Sequence, residues 1–212
     1  MNVILFGPQG SGKGTQAVML KEKLKLYHFS MGDALREEIK NKTAIGKKVA
    51  AIMAKGELVP TEITSQLVLL KSKCKEAKNG IIFDGYPRSP EQWAFAKKNL
   101  KLDAAIELGL TKAESVKRIA SRRVCPKCGQ NYNIYWKKPK VEGICDLDKT
   151  KLIQRNDDQP VEIKKRLEIY SSQTEPLKKE YKKLGILHVI DGKQPIDKVH
   201  AEILKILSKV KK

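Results

Sequence analysis

The sequence predicts an α/β fold in which a five-stranded parallel sheet is covered by helices on both faces. Five short apolar runs alternate with segments of helical periodicity, and this alternation is typical of a parallel sheet with crossover helices. Two stretches, 30–59 and 121–158, interrupt the alternation and are predicted to be small insertions into one core. The apolar runs lie at 3–6, 27–29, 81–83, 104–108 and 186–190.

Helices are predicted where apolar side chains recur at the spacing of one helix face. Pro60 and Thr61 mark the start of a helix, and Pro176 is expected to open a new turn within a later one. The predicted helices are 15–25 with Ala17, Leu20 and Leu24 on one face, 61–78 with Ile63, Leu67, Leu70 and Cys74 on one face, 111–123 and 161–184.

The length and composition predict a compact protein. The chain has 212 residues, of which 41% are hydrophobic, and this is enough to bury a core. No apolar stretch approaches the length of a membrane span, and the first residues pass into a strand without the pattern of a signal peptide. We therefore expect a cytoplasmic monomer with no membrane partner.

The net charge of +19 is dispersed along the chain. Seven of the 43 basic residues are arginines, and the others are lysines spread over nearly every helix, which is typical of a solvated surface. A specific nucleic-acid partner is not expected. Arginine binds phosphate oxygens in pairs, which lysine does not, so the arginines predict phosphate clamping. They are Arg36, Arg88, Arg118, Arg122, Arg123, Arg155 and Arg166.

Residues 7–15 form a glycine-rich loop between an apolar strand and a helix start, with the pattern G-x-x-x-x-G-K ending at Lys13. Such a loop turns backbone N–H groups inward at the positive end of a helix dipole, where they cradle phosphate groups. Gly14 stands where serine or threonine is usual, and the hydroxyl comes one residue later at Thr15. The loop predicts nucleotide binding.

Three of the four cysteines and one acid have the spacing of a metal site. Cys125 and Cys128 form a C-x-x-C knuckle, and Asp148 follows Cys145 at the same spacing. A set of four such ligands leaves no open position, so the sequence predicts a structural zinc site. Cys74 is predicted to be a small buried thiol instead. The alternatives are that Asp148 is an exposed turn acid, or that the knuckles belong to a nucleic-acid-binding ribbon.

A second phosphate-related motif follows the apolar run at 81–83. The run ends in Asp84, as in a Walker-B strand that places a carboxylate beside magnesium. Gly85-Tyr86-Pro87-Arg88 comes next, and Gln92 lies on the following helix. Taken alone, Asp84 is better interpreted as an acid that begins a turn before Gly85.

In order and spacing, these motifs resemble those of adenylate kinases, and the chain is similar to the long-lid, zinc-containing bacterial form from end to end. The resemblance implies a P-loop kinase core at 1–29, 60–120 and 159–212, a helical nucleoside-monophosphate-binding flap at 30–59 and a small zinc-bearing β lid at 121–158. The motifs that carry it are 7–15, 29–33 with Arg36, 56–60, 84–88, 122–125 and 154–158.

The resemblance implies reversible, magnesium-dependent transfer of a phosphoryl group from ATP to AMP, giving two ADP. Asp33 and Asp84 would order water bound to magnesium. The implied ATP-binding residues are Gly10, Ser11, Gly12, Lys13, Gly14, Thr15, Arg118, Arg122, Asn131, Tyr132 and Gln194. The implied AMP-binding residues are Ser30, Met31, Arg36, Glu57, Leu58, Val59, Gly85, Tyr86, Pro87, Arg88, Gln92, Arg155 and Arg166. The implied catalytic set is Lys13, Asp84, Arg88, Arg122, Arg155 and Arg166.

Some details of the sequence depart from the resemblance or leave alternatives open. Met31 stands where the family usually has threonine. The resemblance therefore supports a preference for adenine less strongly than it supports the type of reaction. Arg118 and Arg122 are expected to share a helix face, Arg123 has no implied role, and Tyr132, Tyr135 and Trp136 are read as lid packing. The alternatives are a kinase for another nucleoside monophosphate, a basic zinc-ribbon protein that binds nucleic acid, and a P-loop binding protein without catalysis.

Overall fold

A computed structural model describes residues 1–210. Residues 211 and 212, the end of the third predicted core segment, lie outside that range. The strands of the described residues are β1 Val3–Phe6, β2 Tyr27–Ser30, β3 Ile81–Asp84, β4 Ala104–Gly109, β5 Arg122–Val124, β6 Asn131–Asn133 and β7 Leu187–Asp191.

The predicted five-stranded parallel sheet is confirmed, with strand order β2-β3-β1-β4-β7. Strand β1 pairs with β3 on one side and β4 on the other, so that Val3 lies opposite both Ile82 and Ala104. The chain builds the sheet first to one side of β1 and then to the other. In parallel sheets of this kind, ligands bind in the crevice at the carboxyl ends of the strands where the order reverses.

Nine α-helices lie within the described residues, with two short 3₁₀ segments at Lys75–Asn79 and Asn156–Asp158 and a π-helical turn at Tyr170–Thr174. None of these helices is both long and apolar enough to cross a bilayer. They are α1 Lys13–Leu24, α2 Met31–Lys40, α3 Ala44–Ala54, α4 Thr61–Ser72, α5 Pro90–Asn99, α6 Lys112–Ala120, α7 Pro160–Ile169, α8 Leu177–Lys183 and α9 Ile196–Val210.

Both faces of the sheet are covered, as the α/β prediction requires. Successive side chains of a strand point to opposite faces, and β1 divides its residues accordingly. Ile4 and Phe6 belong to one buried apolar cluster, whereas Val3 and Leu5 belong to another. Every residue of β1 is at most 3% exposed. Because both faces of this central strand are buried, its sequence is a continuous apolar run and does not alternate between apolar and polar residues.

The predicted helix at 61–78 is too long, and its buried face is displaced. Helix α4 ends at Ser72, and Leu70 is 66% exposed. The side chains that α4 buries include Thr64, Leu67 and Val68. Thr64 can lie in the core because its hydroxyl donates to the carbonyl of Thr61. Cys74 lies beyond α4 and is half-buried, so its prediction as a buried helical thiol is wrong.

The prediction that Arg118 and Arg122 share a helix face is also wrong. Helix α6 ends at Ala120, and Ser121 follows as its C-cap. Arg122 then begins β5, where it pairs with Asn133 of β6. The periodicity of apolar residues cannot show that α6 ends at Ala120, because the residues that follow form hydrogen bonds with β6, which comes later in the sequence.

The lid, residues 121–158, is built from short pairings around a very small core. Its buried apolar residues are Val124 and the four residues of one cluster, Cys125, Tyr132, Cys145 and Leu152. The strand-like run at 151–155 makes only isolated bridges to the rest of the lid. Tyr132 packs inside the lid as predicted, but Tyr135 and Trp136 are 61% and 42% exposed, so their prediction as lid packing is wrong.

Candidate active site

A cleft of about 710 Å³ opens at the carboxyl ends of β1 and β3, between the glycine-rich loop, the lid and the helical flap, residues 30–59. The residues that the sequence predicted for nucleotide binding line this cleft, with one exception. Tyr86 is 1% exposed and packs behind the cleft, next to Phe83, with its hydroxyl donating to the carbonyl of Gln92. The structure therefore brings one predicted set of residues from six separate motifs into one cavity.

The glycine-rich loop leaves the central strand and leads directly into α1. Gly7 has φ 142°, and a Cβ there would lie 2.4 Å from the carbonyl oxygen of Leu108 in the neighbouring strand. A side chain therefore does not fit at this position. Gly12 caps α1 without a side-chain hydrogen bond, so the first N–H groups of α1 stay free for an anion.

Lys13 is enclosed by the loop that it follows. Its ammonium donates to the carbonyl oxygens of Gly7 at 2.8 Å and Pro8 at 2.9 Å. The pKa of Lys13 is lowered to about 7, mainly by burial, with a smaller contribution from the nearby arginines, while Asp84 opposes the shift. An anion placed here would restore the charged form, so the site is electrostatically ready for phosphate.

Asp84 lies at the end of β3, facing the start of α1. Its carboxylate is 3.4 Å from the imidazole Nε2 of His28 and 3.5 Å from the position that a Cβ of Gly14 would occupy. Among the described residues it makes no ion pair with an arginine or lysine within 4.0 Å. Its oxygens are thus available to a hydrated cation beside the phosphate loop.

Six arginines line the cleft, and acidic residues of the segment 156–158 hold two of them. Asp158, which is 1% exposed, accepts from Arg122 Nε at 2.8 Å and from the second guanidinium nitrogen, and it lies 3.3 Å from Arg166. Asp157 pairs with Arg166 at 2.8 Å. Burial lowers the pKa of Arg155 and Arg166 to about 10, so both stay protonated at neutral pH. Buried charge of this density requires anionic partners.

The loop before α5 fixes Arg88. The side-chain oxygen of Gln92 accepts the backbone N–H of Arg88 at 2.8 Å, and Arg88 Nε donates to the carbonyl of Gly85 at 2.7 Å. Gly85 has φ 73°, and a Cβ there would lie 2.4 Å from a terminal nitrogen of Arg88. The two terminal nitrogens of Arg88 therefore remain as a fork directed into the cleft.

The flap and the lid approach each other across the cleft. Arg36 pairs with Asp33 on α2, and the guanidinium of Arg155, which comes from the lid, is 3.8 Å from the same carboxylate. Arg155 also donates to the side-chain oxygen of Asn131 at 3.1 Å. Arg36 and Asp33 thus face Arg155 of the lid, which lies more than a hundred positions later in the sequence.

At the other end of the cleft, Arg118 is held between α6 and the loop after β7. It pairs with Glu114 at 3.2 Å and donates to the carbonyl of Gly192 at 2.9 Å. The ring of Trp136 lies 5.5 Å from its guanidinium carbon. Gln194 also lines this end of the cleft. A flat guanidinium beside an indole forms a surface suited to an aromatic base.

The predicted metal ligands are brought together in the lid. One ligand atom from each of Cys125, Cys128, Cys145 and Asp148 lies within 4.8 Å of the other three. The Cys128 and Cys145 sulfurs are 3.6 Å apart, and Cys125 Sγ is 3.3 Å from an Asp148 oxygen. Tetrahedral zinc would set these separations at about 3.8 Å and about 3.5 Å. The donor set and spacing fit a closed four-coordinate site.

Hydrogen bonds from the lid backbone orient two of these ligands. The N–H of Thr150 donates to Asp148 Oδ1 at 3.0 Å, and the N–H of Cys128 donates to Cys125 Sγ at 3.4 Å. Such outer bonds are typical of metal sites. The alternative interpretation of Asp148 as an unconnected turn acid does not account for its position.

Sequence reasoning missed several residues that line or support the cleft. Trp136 and Asp157 face it, and Thr174 reaches it from the π-helical turn. Asp157 lies in the motif 154–158, for which the resemblance implied a role only for Arg155. No local signal could have found Thr174, because its partner in the structure is 86 positions away.

Comparisons with known proteins agree with this geometry. A model of the adenylate kinase family matches residues 5–186. An adenylate kinase from Finegoldia magna is 42% identical over 214 positions, covering 99% of this chain and 100% of that protein. One from Pyrococcus abyssi is 43% identical, covering 98% and 96%, and one from Clostridium tetani is 40% identical, covering 99% and 100%. The chain therefore belongs to the adenylate kinase family, which confirms the resemblance and the enzyme class predicted from its motifs.

Proposed function

We propose that this protein catalyses reversible, magnesium-dependent transfer of a phosphoryl group from ATP to AMP, giving two ADP by direct in-line displacement. The observation that carries the proposal is the convergence of six arginines and Lys13 on one cleft beside a glycine-rich phosphate loop. Two nucleotides that meet end to end bring several negative charges together. A cleft with this excess of fixed positive charge stabilises them and the transferring group.

The two nucleotides take opposite ends of the cleft in this proposal. The glycine-rich loop holds the ATP phosphates, with Lys13 on the transferring group and Arg118 beside the base. Arg88 and Arg36 hold the AMP phosphate. Arg122, Arg155 and Arg166 lie between these groups and neutralise charge during transfer; Asp157 and Asp158 keep Arg122 and Arg166 in place.

No protein base is needed for this reaction. The accepting oxygen belongs to a phosphate that is already largely ionised at neutral pH, so catalysis consists mainly of positioning and charge stabilisation. Water must be kept out, since it would otherwise accept the phosphoryl group. We propose that the flap and the lid close over the core for this purpose, as separate parts with the boundaries 30–59 and 121–158.

The orientation of Gln92 supports AMP as the acceptor. Its side-chain oxygen is committed to the N–H of Arg88, which leaves its NH₂ group, a donor, for the base. A donor pairs with N1 of adenine, which is an acceptor, and opposes the N1–H of guanine. Met31 is buried in the lining and supplies no donor, so the preference for adenine rests on Gln92.

Two metals belong to the proposal. Magnesium would be held through water by Asp84, with Asp33 and the hydroxyl of Thr15 nearby, and when bound it neutralises phosphate charge. Zinc would be held by Cys125, Cys128, Cys145 and Asp148, where it replaces the core that the lid is too small to have.

The test is an assay of ADP formation from magnesium-ATP with AMP, GMP, CMP and UMP as separate acceptors. Rapid, reversible formation of ADP with AMP alone is expected. Preference for another base would keep the chemistry and contradict the role of Gln92. No transfer to any acceptor would contradict the proposed reaction and leave a nucleotide-binding protein without catalysis.

The arginine clamp is tested by Arg88→Ala, with Arg123→Ala as the matched control. Arg88→Ala is expected to lower kcat/KM for AMP by orders of magnitude with an unchanged fold, since the phosphate loses a bidentate partner. Among the described residues, the Arg123 side chain donates only to the carbonyls of Ala120 and Arg122 and does not line the cleft, so its variant should keep its activity. Near-normal turnover in Arg88→Ala would refute the clamp.

A further inference from the structure

The π-helical turn after α7 contains a side chain that reaches Arg88. Thr174 is 5% exposed, and its hydroxyl donates to the carbonyl oxygen of Arg88 at 2.7 Å. The turn occupies Tyr170–Thr174, and the N–H of Glu175 bonds back five residues to the carbonyl of Tyr170 at 2.8 Å. π-Helical turns are rare and occur frequently at functional sites.

The hydroxyl of Thr174 bonds to a distant residue rather than within its own helix. A threonine inside an α-helix commonly donates to the carbonyl four residues before it. For Thr174 that carbonyl belongs to Tyr170, and it already accepts from Glu175. The hydroxyl of Thr174 instead donates outside its own helix, to the carbonyl oxygen of Arg88.

With this bond, the backbone of Arg88 is held on both sides. The N–H of Arg88 is bound by Gln92, and its carbonyl is bound by Thr174. The side chain is held at Nε by Gly85. Among the described residues, the two terminal nitrogens of the guanidinium donate no hydrogen bond and remain for a ligand.

The segment 166–174 carries a second arginine of the cleft at its other end. The carbonyl of Arg166 accepts from Gln9 Nε2 of the glycine-rich loop at 3.2 Å. Thus Gln9 and Thr174 connect one helical segment to the loops on both sides of the point where the two phosphates would meet. The segment 166–174 therefore contacts both the glycine-rich loop and the loop of Arg88.

We propose that Thr174 is a positioning residue for Arg88: its hydroxyl fixes the Arg88 backbone so that the guanidinium fork is set for the acceptor phosphate. This inference rests on the proposed function, in which Arg88 binds AMP. A fixed fork acts on the acceptor and on the transition state, and it does not contact ATP at the far end of the cleft.

The experiment compares Thr174→Val, which keeps the shape and removes the hydroxyl, with Thr174→Ser, which keeps the hydroxyl. Thr174→Val is expected to lower kcat/KM for AMP about tenfold, because a buried carbonyl loses its partner and Arg88 its support. The KM for ATP should change much less, and Thr174→Ser should restore most of the loss. Thr174→Ala serves as the second variant if valine impairs folding.

Ser172→Ala is the matched control, because the hydroxyl of Ser172 donates within its own helix, to Glu168 at 2.9 Å. It should leave the parameters for AMP unchanged. Equal effects of Ser172→Ala and Thr174→Val, or wild-type kinetics in Thr174→Val, would overturn the proposal.

A double-mutant cycle separates this inference from the proposed function. If Thr174 acts through Arg88, adding Thr174→Val to Arg88→Ala should cost little further activity. A full additional loss in that background would overturn the positioning role while leaving the clamp intact. Normal activity of Arg88→Ala itself would refute the clamp, and with it the proposed function of Arg88.

Discussion

The two parts that lie over the cleft are stabilised in different ways. In the helical flap, Leu35, Val49 and Val59 are buried in the same apolar cluster as the central strand residues. The lid has only five buried apolar residues, and two of them are cysteines of the proposed zinc site. A part that continues a large core needs no other support, whereas one too small for a core needs a metal or disulfides.

The largest expected effect comes from removing a metal ligand. Cys145→Ser should abolish binding of the proposed zinc, about one ion per chain, and release the lid, because the thiolate set is incomplete. Metal analysis and limited proteolysis would show loss of zinc and new cleavage within 121–158, with the rest of the chain protected. Cys74→Ser is the matched control, since Cys74 lies outside the cluster. Wild-type protein with well under one zinc per chain would contradict the metal site.

A core deletion in the flap should have a smaller effect that a chelator does not change. Leu35 is 4% exposed, and Leu35→Ala is expected to lower the free energy of unfolding by about 2–5 kcal/mol through lost burial and a residual cavity. Denaturant titration with and without chelator measures it. Leu70→Ala, at an exposed position, should change stability little; a loss in Leu35→Ala no larger than that in Leu70→Ala would mean that Leu35 is not part of the continuous core.

The pH dependence of ATP binding tests the cleft that both parts cover. Lys13 has its pKa lowered from 10.5 to about 7, so between these values the unfolded chain binds more protons and stability rises with pH. Binding of ATP phosphates should return Lys13 to its charged form with uptake of up to about one proton at pH 8. Calorimetry in buffers of different ionisation enthalpy measures this uptake. An uptake that Lys13→Met retains would contradict the assignment.

The smallest effect is expected for an ion pair that joins the flap to the core. Lys165 on α7 lies 2.6 Å from Glu57, and both side chains are 41% exposed. Exposed pairs are screened and contribute little. Lys165→Gln should shift the unfolding midpoint only slightly, and the shift should vanish in high salt. A large, salt-independent change would mean that this contact, and not the apolar cluster, holds the flap.

The sequence by itself determined the features that depend on neighbouring residues. The apolar runs gave the five strands because each is a short local pattern, and the loop ending at Lys13 gave the phosphate cradle because a strand, glycines and a helix start follow one another directly. The two ligand pairs of the lid were also visible in spacing alone, since Cys125 with Cys128 and Cys145 with Asp148 each occupy one tight turn.

Tertiary structure alone decided where some helices end, which of their faces are buried and which distant residues come into contact. Helix α6 stops before Arg122 because that residue pairs with β6, and Leu70 faces solvent because α4 buries a neighbouring side of its surface. Gln92 is oriented by the backbone of Arg88, and Thr174 reaches that same residue from 86 positions away. Contacts of this kind depend on the packing of whole elements, and a local pattern of residues does not contain them.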